Sequence, residues 1–366
     1  MEMMMHQLVS HLRTQAEVYV FGPYTNQEVV EEQTIRPRRS GLAWFFVSAW
    51  FSCFRLLREE KFDFIIAGST LVASIVYLLG RLFRLPMAVN VYGLDLIYAQ
   101  PLYQLMLKLF LRRFDQVFAI SQASKTEVLK RGVSFSDVAI VYPGLDFSEF
   151  EAQRDQETTK RQYGLTQRKI LLSVGRLARR KGIPEFIQHT LPTIIQAYPE
   201  VVLLVVGDNP TQSLTHKEDV KARIETIVAD LNLGEYVRLL GRVDRDTLID
   251  LYYACDVFVL PGINVPGDME GFGIVLTEAG AASKPVVSVK LGGIPDAVID
   301  GKSGLLVEAE RWDEFSDAVL ALLKDESLCR EMGGFGRVRA KAELDWPIIA
   351  EQYLEHLKDE LWSFGL

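Results

Sequence analysis

Cysteine is scarce. The three in 366 residues, Cys53, Cys255 and Cys329, lie far apart in apolar or helical surroundings. An odd count with no pair at ligand spacing excludes a disulfide framework and a cysteine-held metal, and fits a reducing compartment. Positive charge is also in short supply: 40 Lys and Arg face 48 Asp and Glu, a net charge of −8. Residues 1–150 hold 15 basic against 14 acidic side chains, and the remainder 25 against 34. Neither half has the basic excess of a nucleic-acid-binding domain, so nucleic acid is excluded as a partner. No hydrophobic run is both long and unbroken. Residues 64–83 (FIIAGSTLVASIVYLLGRLF) are interrupted by Gly68-Ser69-Thr70 and predict a strand, a turn and a helix. Residues 42–54 (LAWFFVSAWFSCF) are shorter than the roughly 20 residues that cross a bilayer. Met1 to Ser10 does not read as a secretory leader, and a cytoplasmic location is expected. Internal repeats and low-complexity segments are lacking too.

What is there is ordinary globular material, 49% apolar and 24% charged, in a chain long enough for two α/β domains. Short apolar runs alternate with helix-length segments, the pattern of parallel sheets with crossover helices. The runs Val18–Phe21, Phe64–Ala67, Met87–Val91, Gln116–Ile120 and Ala139–Tyr142 predict strands in the first half. Ile170–Val174, Val201–Val206, Val237–Leu240, Val257–Leu260 and Pro285–Val289 predict strands in the second. Between the halves, the polar stretch from Phe147 to Gln162 reads as a linker. After Leu344, DWPIIAEQYLEHLKDELW predicts one more amphipathic helix with Pro347 in its first turn. Two doubly wound domains facing a cleft are expected, with ligands at the carboxyl ends of the strands.

Three clusters sit at such strand ends. In SVGRLARRKG, Gly175 allows a tight turn, and Arg176 and Lys181 place two cations beside a helix start, an anion site. The competing reading is a solvated basic loop. In MEGFGIVLTEA, Glu270 precedes a helix and Glu278 lies two turns onward on nearly the same side. Carboxylates suit vicinal sugar hydroxyls, because each oxygen accepts a hydrogen bond. The competing reading makes Glu270 a cap and Glu278 an exposed helix residue. In LGGIPDAV, Gly292-Gly293 forms either a backbone-amide cradle or a plain turn. Asp244-Arg245-Asp246 spells a metal-binding D-x-D, but its place before the helix Thr247–Tyr253 favours N-terminal capping.

Taken together, the chain resembles glycosyltransferase family four, the retaining family of GT-B fold, over nearly its whole length. The resemblance is carried by VGRLARRKG, by EGFGIVLTEA and by KPVVSVKLGGIPDAVIDGKSGLLVE, with FAISQASKTEVLKRG and IVYPGLD in the first half. It implies an α/β chain of two Rossmann-like domains: residues 1–148 completed by a C-terminal helix over 347–366, and residues 163–346. Arg176 and Lys181 match the pair that grips the donor diphosphate. Glu278 matches the ribose-binding glutamate, and Glu270 the one that contacts the donor sugar. Gly175, Gly271, Phe272, Gly273 and Ile274 match backbone positions around the donor, and Gly241, Arg242 and Val243 the loop beside the base. No metal and no cofactor are implied. The resemblance implies a nucleotide-diphosphate sugar of GDP-mannose or UDP-glucose type as donor, and a glycan or a glycolipid as acceptor. Both cations are expected in a solvent-reached cleft, where replacing them changes stability little.

Two features depart from the family. Its usual histidine before Gly-x-Asp is replaced by Tyr92, with Asp95 following, which makes these two a second candidate site. Tyrosine donates a hydrogen bond but does not give up its proton near neutral pH, so it cannot shuttle one as histidine can. The family's first strand and its glycine loop have no counterpart, so the expectation is a first domain lacking its first strand. These departures support an alternative, a catalytically impaired or non-catalytic relative that binds a sugar nucleotide or a partner protein. Finally, Trp44, Phe45, Trp50 and Phe51, flanked by Arg36, Arg38, Arg39, Arg55 and Arg58, have two readings. All-round apolarity predicts a helix buried in the first domain. The basic flanks of 36–58 fit a helix lying on the inner face of a membrane.

Overall fold

The computed structural model describes residues 2–24, 33–152, 154–210 and 218–364. They form two compact units, one of residues 1–143 with 346–366, the other of residues 144–345.

In the first unit, β3 (Ile65–Ala67), β4 (Met87–Val91), β5 (Gln116–Ala119) and β6 (Val138–Ile140) form a parallel sheet in sequence order. A separate parallel pair joins β1 (Val20–Phe21) to β2 (Thr34–Ile35). Among the described residues no strand links the pair to β3. Helices cover both faces of the four-stranded sheet, because its strands are apolar on both sides. On one face Ala73, Val76, Val89, Leu96, Leu111 and Val117 share a core. On the other, the helices Glu2–Leu12 and Trp346–Phe364 lie against each other over the strands, with Leu8, Leu12, Phe118, Trp346, Ile349 and Tyr353 in one cluster. Tyr353 completes that layer by donating its hydroxyl to Asn90 Oδ1 at 2.6 Å, which satisfies two buried polar groups at once.

The second unit is built on six parallel strands. They are β7 (Lys169–Val174), β8 (Val201–Val206), β9 (Val237–Gly241), β10 (Val257–Leu260), β11 (Val286–Val289) and β12 (Gly304–Val307), in the order β12-β11-β10-β7-β8-β9. The order reverses at β7, so the crevice beyond the carboxyl ends of β7 and β10 is the place where such sheets bind ligands. The predicted strands of both halves are present; β2 and β12 were not predicted. The stretch read as a linker is structured. Phe147–Phe150 forms a 3-10 turn and Gln156–Gln162 a helix, and Phe147, Phe150 and Lys160 are buried in the second unit. Two aromatic anchors, invisible among the charges around them, tie that stretch down. Among the described residues no helix is long and apolar enough to cross a membrane.

Candidate active site

The chain leaves β7 through Gly175 and the exposed Arg176, then closes a 3-10 turn over Arg179–Lys181. Gly182 ends that turn at φ +67°, and a Cβ there would stand 2.2 Å from the carbonyl oxygen of Pro261. Only glycine lets the turn lie on the chain leaving β10. Lys181 is consequently directed inward. Its side chain passes 3.5 Å from the point a Gly175 Cβ would occupy, and its Nζ ends 2.6 Å from Glu270 Oε2. Arg180 joins them, with Nε 3.4 Å from the same oxygen and Nη1 3.6 Å from Asp268 Oδ2. The Gly292-Gly293 turn supports the carboxylate loop from behind. Gly292 has φ +57°, a Cβ there would be 2.4 Å from the Glu270 carbonyl oxygen, and the Gly293 amide donates to that oxygen at 2.9 Å. The two glycines therefore pack the loop in place.

The result is a buried cluster of alternating charge at the carboxyl ends of β7, β10 and β11. It lines a cavity of about 100 Å³ with Asn264, Leu291 and Ile294. Lys181 is 8% exposed, which corrects the expectation of a solvent-reached cation. Burial draws its ammonium below the ordinary lysine range, with Glu270 opposing. Burial raises the Glu270 carboxyl, but Lys181 and then Arg180 outweigh it and leave the group below the ordinary glutamate value. Arg176 adds to the field on both. Arg180 and Asp268 are site members that the sequence reading missed; the only signal for Arg180 was its place beside Lys181.

Glu278 is also buried, 8% exposed, and it keeps different company. Arg245 Nη1 donates to its Oε1 at 2.7 Å and the Tyr252 hydroxyl to its Oε2 at 2.8 Å. Arg245 also donates through Nε to Glu149 Oε2 at 2.9 Å. Burial raises the Tyr252 phenol well above its ordinary value, and the Glu278 charge adds to that. Arg245, Tyr252 and Glu149 had no signal in the sequence. Phe272 is buried, Gly271 half-buried, and Gly273 and Ile274 open the helix Ile274–Ala281 that carries Glu278. Gly241 ends β9, and the exposed Arg242 and half-buried Val243 follow. Asp244 then caps the helix Arg245–Ala254, accepting from the Thr247 amide at 2.9 Å.

In the first unit, Tyr92 and Asp95 face inward. The Tyr92 hydroxyl donates to the Gly68 carbonyl at 3.0 Å. Asp95 accepts from the Tyr92 amide at 2.8 Å and from the Thr70 hydroxyl at 2.9 Å. Burial raises both groups above their ordinary values. Their bonds brace the turn after β4 against the turn after β3.

Residues 155–339, half of the chain, match the family described as Glycosyl transferases group 1, and residues 1–149 match Glycosyltransferase Family 4. The chain belongs to the glycosyl transferases group 1 family. A D-inositol 3-phosphate glycosyltransferase of Corynebacterium urealyticum is 32% identical to it over 222 residues, 60% of this chain and 50% of that protein. A GDP-mannose-dependent monoacylated alpha-(1-6)-phosphatidylinositol monomannoside mannosyltransferase of Corynebacterium glutamicum is also 32% identical, over 59% of this chain and 55% of its own length. The chain spans about half the length of the curated relatives it matches. Among solved structures, sucrose-phosphate synthase from Thermosynechococcus elongatus superposes with a TM-score of 0.77 at 25% identity, covering 98% of this chain and 92% of that one. Anabaena HepE in complex with UDP-glucose superposes at 0.72 with 22% identity, over 86% and 82% of the two chains. The group 1 fold is thus the α/β, two-domain Rossmann-like fold of GT-B type that the sequence implied.

Proposed function

We propose that this chain is a retaining, metal-independent glycosyltransferase that moves a hexose from a nucleotide-diphosphate sugar to a glycan or glycolipid acceptor. The observation that carries the reading is the Lys181–Glu270 contact of 2.6 Å at the sheet's switch point, beside the exposed Arg176. Arg176 and Lys181 bind the diphosphate and stabilise its charge as it leaves. Glu270 meets the sugar, and Glu278 the ribose. Each carboxylate oxygen accepts more than one donor, so Glu278 keeps capacity for hydroxyls beside Arg245 and Tyr252. Gly175, Gly271, Phe272, Gly273 and Ile274 offer backbone around the sugar and phosphates, and Gly241, Arg242 and Val243 border the base. The paired cations and carboxylates already balance one another, which leaves Arg176 as the surplus charge for an anionic donor.

GDP-mannose is the favoured donor, supported by the Corynebacterium glutamicum relative named above, with UDP-glucose second. A lipid-linked acceptor would bring the chain to the cytoplasmic face of a membrane, with contact through residues 36–58. One observation favours the non-catalytic reading: the Tyr92 hydroxyl, in the place of the family's histidine, is committed to a backbone carbonyl. Incubating the chain with GDP-mannose and UDP-glucose in chelator, with and without a polyprenyl- or inositol-lipid acceptor, tests both readings. Acceptor-dependent release of nucleoside diphosphate with retained anomeric configuration is expected. Nucleotide binding without turnover would select the non-catalytic reading, and no binding of either nucleotide would remove the donor site.

A further inference from the structure

The helix Leu42–Glu59 buries only Ala49. Of its two readings from the sequence, the buried one does not hold: Val47 is 46% and Phe51 67% exposed. Its neighbours behave alike. Leu78 and Leu82 stand out from the helix Ala73–Phe83, and Leu102 and Leu105 from the helix Pro101–Phe110. In each helix these positions repeat at three- and four-residue spacing, so each carries an apolar stripe pointing away from the sheet. The helices form one layer: Phe54 meets Phe83 with ring centroids 5.5 Å apart, and Tyr77 meets Phe110 at 5.3 Å. Ten of the fifteen large hydrophobic side chains exposed among the described residues lie between Leu42 and Leu109.

Charge separates this layer from the rest of the chain. The three helices hold one acidic residue, Glu59, already paired with Arg55, against Arg55, Arg58, Arg81 and Lys108. Just past the helix ends stand Arg84, Arg112 and Arg113, against the single acidic Glu60 after Glu59. Arg39, Arg58 and Arg113 lie over the rings of Trp44, Phe54 and Tyr77 at 5.7, 6.0 and 5.5 Å, so cations fringe the apolar surface. A chain of net charge −8 has thus concentrated positive charge around one apolar plateau. Such a plateau complements a surface that is apolar within and anionic at its edge.

We infer that this three-helix plateau docks the first unit on an anionic phospholipid bilayer, with the apolar stripes in the headgroup layer and the arginines among the phosphates. The inference extends the contact proposed for residues 36–58 to two further helices, and rests on that reading. Its test uses neither donor nor acceptor, so it fails separately from the proposed transfer reaction. The full chain is sedimented with phosphatidylcholine vesicles containing increasing phosphatidylglycerol. Binding should rise with the anionic fraction and fall severalfold in high salt. Leu78→Asp with Leu105→Asp, both outside 36–58, should weaken it tenfold or more while the urea unfolding midpoint of the chain stays unchanged. Full binding by that variant would overturn the role of the two added helices. No binding at any lipid composition, or a wild-type dimer that the variant dissociates, would overturn the bilayer as the occupant.

Discussion

The Lys181–Glu270 contact predicts an asymmetry that a double-mutant cycle measures. At an effective dielectric of about 20, charges separated by 2.6 Å attract by about 6 kcal/mol, and Arg180 at 3.4 Å contributes about 5 more. Desolvation offsets most of both. Glu270→Gln removes two attractions together and leaves two buried cations with Asp268 as their remaining carboxylate. Losing one partner of a buried pair costs about 3–5 kcal/mol, and this substitution belongs in that range. Lys181→Met removes one attraction and leaves Glu270 with Arg180, so about 1.5–3 kcal/mol is expected, the worth of a charged hydrogen bond. The double variant should cost less than the two singles together by about 1–3 kcal/mol. Urea unfolding of the full chain, read by hydrogen exchange at β7 and β10, gives all three values. Equal single costs with an additive double would refute the cluster as a coupled unit. The same pair sets a pH dependence. The folded pKa of Glu270 lies below the unfolded value of about 4.3. Its stabilisation is therefore complete above that value and lost as pH falls through the folded pKa; Glu270→Gln should abolish this acid limb.

Replacing Arg176 or Lys181 by Met should slow turnover about a hundredfold, measured by nucleoside diphosphate release, as loss of one donor to a leaving oxyanion does. Glu278→Ala should weaken binding of the free nucleotide by about 1.5–3 kcal/mol in calorimetry. It should also lower stability, because the buried Tyr252 hydroxyl loses its acceptor. Glu270→Ala should leave free-nucleotide affinity nearly intact. Gly182→Ala should cost at least about 1–3 kcal/mol from its left-handed backbone alone. A wild-type urea midpoint for that variant would mean that the turn is not held against Pro261.

The strands of both units were legible because each is a short apolar run between turn residues, and a run of that kind has few other uses. β12 escaped because Gly304–Val307 follows a turn so closely that its four residues read as part of it. In the second unit the same cues singled out Lys181 and Glu270, which the fold brings together, but misjudged the surroundings of Lys181. Lysine in an Arg-Arg-Lys run reads as solvated, and only tertiary contact with Glu270, distant in sequence, shows it to be buried. The partners of Glu278 had no such cue: Arg245 and Tyr252 lie two turns apart on one helix, Glu149 comes from a distant turn, and only the fold brings the three to the carboxylate. Leu42–Glu59 shows the converse failure. Periodicity says that a helix is apolar all round, but which neighbours cover it is a property of the packed unit.

The first unit gathers its core from the two extremes of the numbering. Leu8 and Leu12 meet Trp346, Ile349 and Tyr353, and Asn90 waits for the Tyr353 hydroxyl. During synthesis, β3 to β6 emerge early, yet one face of their sheet has only the helix Glu2–Leu12 to cover it until the helix from Trp346 onward has left the ribosome. The second unit needs nothing made after Asp345, so it is free to fold first. The unit translated first is thereby the last to be finished.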